Sequence, residues 1–198
     1  METRDGWNHN VHYHDFILRS LPGRCGKALD VGCGDGLLAR KLAERCDEVV
    51  AVDVDHDSLV SAREGVRVQS RIEYVEADVM ACPFAEESFD CITAVATLHH
   101  LPLEAGLIRF RRLLKPGGVL VVVGLYRLST VADYAFAATA LPVSRALRVL
   151  RGYGEVAAPL AQPRATLREI RAASEALLSG SVLRRRLLFR YTLVWRKA

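Results

Sequence analysis

An α/β domain built on a parallel sheet is the fold class this sequence predicts, on three observations. Across residues 27–125, short apolar, β-branched runs alternate with segments of helical spacing, the signature of parallel strands joined by right-handed crossovers. The first run, Ala28-Leu29-Asp30-Val31, enters the loop Gly32-Cys33-Gly34-Asp35-Gly36, which opens directly onto the apolar helical stripe of residues 37–45. The next two strand-like runs also lead to carboxylates, Asp53 and Asp78. In parallel α/β sheets, ligands bind at the carboxyl ends of the strands.

Taken in order, residues 7–18 predict a helix running up to Leu21-Pro22. Strands are predicted at 28–31, 48–53, 72–76, 91–95 and 118–125, with helices at 37–45, 57–64 and 103–114. Lys115-Pro116-Gly117-Gly118 closes the last of these as a helix stop and turn. Asp57 reads as the N-cap of the helix after the second strand. Beyond Leu125 the texture changes: residues 130–150 are alanine-rich and helical around Pro142, and residues 151–163 read as a loop with two glycines and two prolines. Thr166 and Glu169 form a capping box at the head of a helix over 166–178. In residues 182–197, Tyr191, Leu193 and Trp195 alternate with Thr192, Val194 and Arg196, as in a strand with two distinct faces. One domain is expected: a helical cap (1–26), a core (27–125), a variable segment (126–165), and a final helix with strands (166–198).

The 198 residues, half of them hydrophobic and a quarter charged, suit one globular domain with a full core. The net charge of +4 is mild. Its basic residues are almost all arginine, a bias of the kind a GC-rich bacterial genome imposes. The five cysteines are scattered without C-x-x-C spacing, so neither a disulfide framework nor a zinc site is expected. The N-terminal residues carry no secretory apolar region, and no apolar run approaches the roughly 20 residues of a membrane span. A cytoplasmic, reduced protein without membrane insertion is the expectation.

The glycine spacing is G-x-G-x-G rather than the G-x-G-x-x-G of dinucleotide folds, which points to an adenosyl ligand lacking a pyrophosphate. Asp53 stands 21 positions after Gly32, at the end of Val49-Val50-Ala51-Val52. Val75-Glu76-Ala77-Asp78-Val79 follows, then Ser88-Phe89-Asp90-Cys91-Ile92-Thr93-Ala94-Val95, Leu98-His99-His100-Leu101-Pro102 and the Lys-Pro-Gly-Gly turn. Through these motifs the chain resembles the class I S-adenosylmethionine-dependent methyltransferases, near the branch of quinone-biosynthesis-like enzymes.

That resemblance implies a Rossmann-like, doubly wound, three-layer αβα fold with a mostly parallel seven-stranded sheet and an antiparallel C-terminal strand. It implies S-adenosylmethionine as cofactor, leaving as S-adenosylhomocysteine. Gly32, Cys33, Gly34 and Gly36 would wrap its methionine half, with Asp30 near the amino group and Asp53 on the ribose hydroxyls. Val54 would pack on the adenine, Asp78 would accept from the adenine amine, and the Val79 N–H would serve a ring nitrogen. The strand containing Ala94 would border the sulfonium. The N-terminal helix would close over the methionine end, where Tyr13 or His14 would bind the carboxylate.

His99 and His100 follow the strand where the methyl group should emerge. Either can cap the next helix, or act as a base on an acceptor hydroxyl, with His99 the better placed. His9 and His12 have helical spacing but no spaced carboxylate, so no metal is expected. Neighbouring strand arginines point to opposite faces, so Arg184-Arg185-Arg186 and Arg190 make no nucleic-acid stripe. The acceptor is expected to be a small, partly apolar molecule methylated on O, N or C, held by the N-terminal helix, the His99 region and residues 126–163. The protein is expected as a monomer or homodimer. An NAD(P)-binding oxidoreductase, an RNA or tRNA methyltransferase and a non-catalytic adenosyl-binding protein remain alternatives.

Overall fold

The computed structural model describes residues 8–64, 71–151 and 162–198. Seven strands form one sheet in the order β3-β2-β1-β4-β5-β7-β6: β1 Cys25–Val31, β2 Cys46–Asp53, β3 Ile72–Glu76, β4 Phe89–Val95, β5 Leu114–Gly124, β6 Val182–Arg186 and β7 Arg190–Arg196. The first five run parallel, while β7 inserts antiparallel between β5 and β6. The predicted doubly wound sheet is therefore present, with its chain reversal between β1 and β4.

Central strands buried on both faces read as unbroken apolar runs, and pleat alternation divides their side chains between two cores. Leu29, Val50, Ile92, Leu120 and Val122 face one layer, containing α4 (Leu103–Leu113) and α6 (Leu167–Leu177). Ala28, Val49, Ala51, Cys91, Val119 and Val121 face the other, where Ile17 of α1 (His14–Ser20), Leu38 and Leu42 of α2 (Leu37–Ala43), and Leu59 of α3 (His56–Glu64) pack. This is the three-layer αβα arrangement.

Several local expectations change. Four strands extend beyond their apolar runs. β5 starts at Leu114, directly after α4 ends at Leu113, so Lys-Pro-Gly-Gly lies within the strand, in the irregular step where its register against β4 passes from Leu114 to Val119. The cap of α3 is Asp55, whose Oδ2 accepts from the Ser58 N–H at 2.9 Å, rather than Asp57. The helix begins one residue earlier than its apolar spacing indicated, which moves the cap with it. The alanine-rich segment is one helix, α5 (Val131–Arg151), with Pro142 inside it. The loop expected at 151–163 lies largely outside the described residues. At α6 the capping box is present as read, with Thr166 accepting from Glu169 N–H and Glu169 accepting from Thr166 N–H.

The cysteines also depart from expectation. Cys25 and Cys46 are disulfide-bonded, whereas Cys33, Cys82 and Cys91 are free. Parallel register makes this pairing: the two residues stand opposite each other at the first rung of β1 and β2, with Cα atoms 4.7 Å apart. A separation of 21 residues in sequence concealed their adjacency.

The N-terminal cap begins with a 3₁₀ turn, Val11–Tyr13, that continues into α1. It is fastened to the C-terminal hairpin. Tyr13 Oη donates to the Leu187 carbonyl at 2.5 Å, and an Arg190 amino group donates to Asn10 Oδ1 at 2.8 Å. The guanidinium of Arg186 lies 5.0 Å from the Phe16 ring centre.

Candidate active site

The carboxyl ends of β1, β2, β3 and β4 meet around the glycine loop. The N–H groups of Gly32 and Cys33 donate to the Val52 carbonyl at 2.8 and 3.2 Å, tying the loop onto the end of β2. Gly34 N–H donates to Asp53 Oδ2 at 2.8 Å, and Asp55 N–H to Asp53 Oδ1 at 3.0 Å. Gly32 has φ +68°, and a Cβ there would drive into the Thr97 side chain. Gly34 has φ +54° with nothing within 4 Å of the place its Cβ would occupy, so this point of the loop faces open space. Both positions require glycine, one for backbone hand and close packing, the other for hand alone. Gly36 completes the turn as the residue before α2.

Asp30 is buried beneath this loop. Thr93 Oγ1 donates to its Oδ1 at 2.7 Å, while Oδ2 is buried without a partner. Burial raises its pKa from 3.8 to about 7 against the pull of the Thr93 bond, with Asp53 and Asp35 raising it further. Cys33 is buried beside these carboxylates, and burial pushes its thiol pKa strongly upward, so it remains a neutral thiol. At the rim, Val54 is 70% exposed, an apolar side chain left in the open beside Asp53. Asp78 is exposed and accepts from Met80 N–H at 2.8 Å, and Val79 is buried next to it. Ala94 is fully buried near the end of β4. Two residues later Ala96 adopts φ +53°, a left-handed conformation that costs a non-glycine residue about 1 kcal/mol.

On the cap, the Tyr13 hydroxyl is engaged by Leu187, and burial raises its pKa to about 12. His14 is buried with Nδ1 unpartnered, and burial, assisted by Lys41, lowers its pKa to about 4. Its ring is neutral at physiological pH. The other N-terminal histidines are separately placed: His9 Nε2 lies 2.9 Å from Ser144 Oγ, and the His12 ring meets Tyr13 edge-on.

Beyond β4 and β5 a cleft of about 920 Å³ opens. His99 and His100, their ring centres 4.1 Å apart, form one wall, and Leu98, Leu125, Ile170 and Tyr191 contribute to the rest. Arg127, Gln162 and Arg164 also line it, and among the described residues no aspartate or glutamate does. Of the segment expected to face the acceptor, Arg127 and residues 162–165 reach this cleft. Tyr126 is buried in the core, Tyr134 is exposed on α5, and Tyr153 lies outside the described residues. Thr93, Ala96 and Thr97 were not singled out from sequence. Their roles depend on pairing with β1 and its loop, which no local motif announces.

The family described as the methyltransferase domain matches residues 29–122, the span carrying the glycine loop and the carboxylates. An uncharacterized methyltransferase of Mycobacterium tuberculosis is 36% identical over 192 residues, covering 96% of each chain. The chain is a class I S-adenosylmethionine-dependent methyltransferase. The methyltransferase is also 33% identical over 129 residues to the ubiquinone biosynthesis O-methyltransferase of Aliivibrio fischeri, spanning 62% of this chain and 53% of that one. Its fold matches the N-methyltransferase NodS of Bradyrhizobium japonicum, solved in complex with S-adenosyl-L-homocysteine. The TM-score is 0.65 at 20% identity, over 94% of this chain and 86% of NodS. The oxidoreductase and non-catalytic alternatives end here. The residues present fit the cofactor: a buried carboxylate oxygen awaits a donor at Asp30, and open space faces Gly34. Among the described residues no helix is long and apolar enough to cross a membrane.

Proposed function

We propose that this methyltransferase acts on a small, partly apolar acceptor, methylating O, N or C by in-line displacement. The observation that carries the reading is the mostly hydrocarbon-walled cleft that His99 lines in the segment after β4; the residues assigned to the cofactor do not line it. S-adenosylmethionine supplies an electrophilic methyl group on a sulfonium that is already an excellent leaving group. The protein's work is to orient and to exclude water, which supplies much of the acceleration in such displacements.

In this reading Asp30 receives the cofactor's amino group on its unpartnered oxygen. Gly32, Cys33, Gly34 and Gly36 wrap the methionine half, and Asp53 exchanges its Gly34 bond for the ribose hydroxyls. Val54 covers the adenine, while Asp78 and the Val79 N–H read its edge. Ala94 leaves room beside the sulfonium. His14 offers a neutral ring to the methionine carboxylate, and Tyr13, bonded to Leu187, holds the cap shut over it. His99 takes the proton where an acceptor hydroxyl must lose one. The enzyme works in the cytoplasm as a monomer or homodimer, without a nucleic-acid partner. The tail arginines support that last point, since Arg185 pairs with Asp133 at 2.8 Å and Arg186 with Thr192 at 3.0 Å.

Calorimetric titration with S-adenosylhomocysteine, with NAD as control, tests the cofactor pocket. Micromolar affinity is expected in the wild type and its loss in Asp53→Ala. Phenols and quinones then form the first acceptor screen. Failure of every small apolar acceptor alongside turnover on tRNA would replace this reading with the nucleic-acid one.

A further inference from the structure

The charge pattern of the cleft specifies its ligand further. Its walls are largely hydrocarbon, from Leu98, Leu125 and Ile170, yet Arg127 and Arg164 stand exposed along its lining with His99 and His100. Among the described residues no carboxylate lines it. Glu169 faces Arg127 from α6 and keeps its charge, with Oε2 accepting from the Thr166 N–H and hydroxyl at 2.7 and 2.8 Å, but it does not line the cleft. Arg127 Nε donates to the Arg164 carbonyl at 2.9 Å, which draws the two arginine-bearing segments together. Guanidinium groups match carboxylate and phosphate geometry through paired N–H donors. An apolar pocket with a few convergent polar groups selects a ligand by the position of its charge.

Resting on the methyltransferase reading above, we propose that the acceptor is an amphiphilic anion, with an apolar body in the cleft and a carboxylate or phosphate held by Arg127 and Arg164. The apolar body then extends along Leu98 and Ile170, toward the end of β4.

The test uses full-length protein saturated with S-adenosylhomocysteine and four probes sharing one chain: octanoate, octyl phosphate, octanol and octanamide. Affinities are read by ligand-observed NMR at low and high salt. The anions should bind roughly tenfold or more tighter than the neutral probes. That preference should shrink with salt and disappear in Arg127→Gln/Arg164→Gln. Octanoate against octyl phosphate identifies which anion is preferred. Arg127→Lys, which keeps the charge but not the paired donors, should retain part of the preference. Arg164→Gln alone, at an exposed position, guards against a folding defect in the double variant. Equal binding of anions and neutrals, no binding of any probe, or an anion preference that survives the double variant would overturn the proposal. Calorimetry on the same samples separates the two readings, because wild-type protein that fails to bind S-adenosylhomocysteine refutes the cofactor pocket instead.

Discussion

Asp30 shows how one residue's surroundings set its charge. Its carboxyl has one oxygen bonded to Thr93 and one buried without a partner, and its pKa sits near 7 instead of 3.8. The folded, ligand-free protein therefore binds more protons than the unfolded chain between about pH 4 and 7, so charging Asp30 subtracts stability as pH rises through that window. A bound ammonium reverses the preference and favours the carboxylate. Affinity for S-adenosylhomocysteine should consequently weaken as pH falls below about 7, approaching tenfold per pH unit for a one-proton linkage. Asp30→Asn should bind more weakly at pH 8 and lose this dependence. Calorimetry from pH 5.5 to 8 checks both. His14 provides no confounding step in the upper half of that range, since its proton is lost well below neutrality.

At the scale of elements, α6 contributes Ile170 to the cleft, and its first turn depends on the box between Thr166 and Glu169. Thr166→Ala should cost about 1 kcal/mol and loosen the strand-to-helix segment that carries Arg164. Chemical denaturation reads the first effect and faster amide exchange across Ala165 and Leu167 the second. This box was legible in four residues of sequence because both partners are local. The inner portions of the strands were equally legible, since burial on both faces leaves nothing polar to interrupt them. Their outer ends were not. Glu48 is an exposed strand residue whose backbone joins the ladder only because Lys27 of β1 stands opposite it, and half-exposed Lys115 lies in the irregular step of β5 between its pairings at Leu114 and Val119. The glycine loop and the carboxylates after β2 and β3 could likewise be read directly. Arg127 and Arg164 could not, because 37 residues separate them and only the fold brings them to one cleft.

For the whole molecule, the Cys25–Cys46 bond ties β1 to β2 at the sheet end opposite the glycine loop. Closing a loop of this length removes about 3 kcal/mol of unfolded-chain freedom. Reduction, or Cys46→Ser, should therefore lower the melting temperature by about 10 °C for a domain of this size. S-adenosylhomocysteine binding measured below the transition should change little. Calorimetry with and without reductant, and mass spectrometry of the alkylated protein, test this. A second long-range link has a consequence in time. The bonds from Tyr13 to Leu187 and from Arg190 to Asn10 join residues about 180 positions apart. During synthesis the sheet centre can assemble early, but the N-terminal cap cannot latch until residue 190 has left the ribosome. A nascent chain stalled before β7 would thus carry its N-terminal cap unfastened, and the last hairpin to emerge acts as the clasp that joins the two ends of the chain.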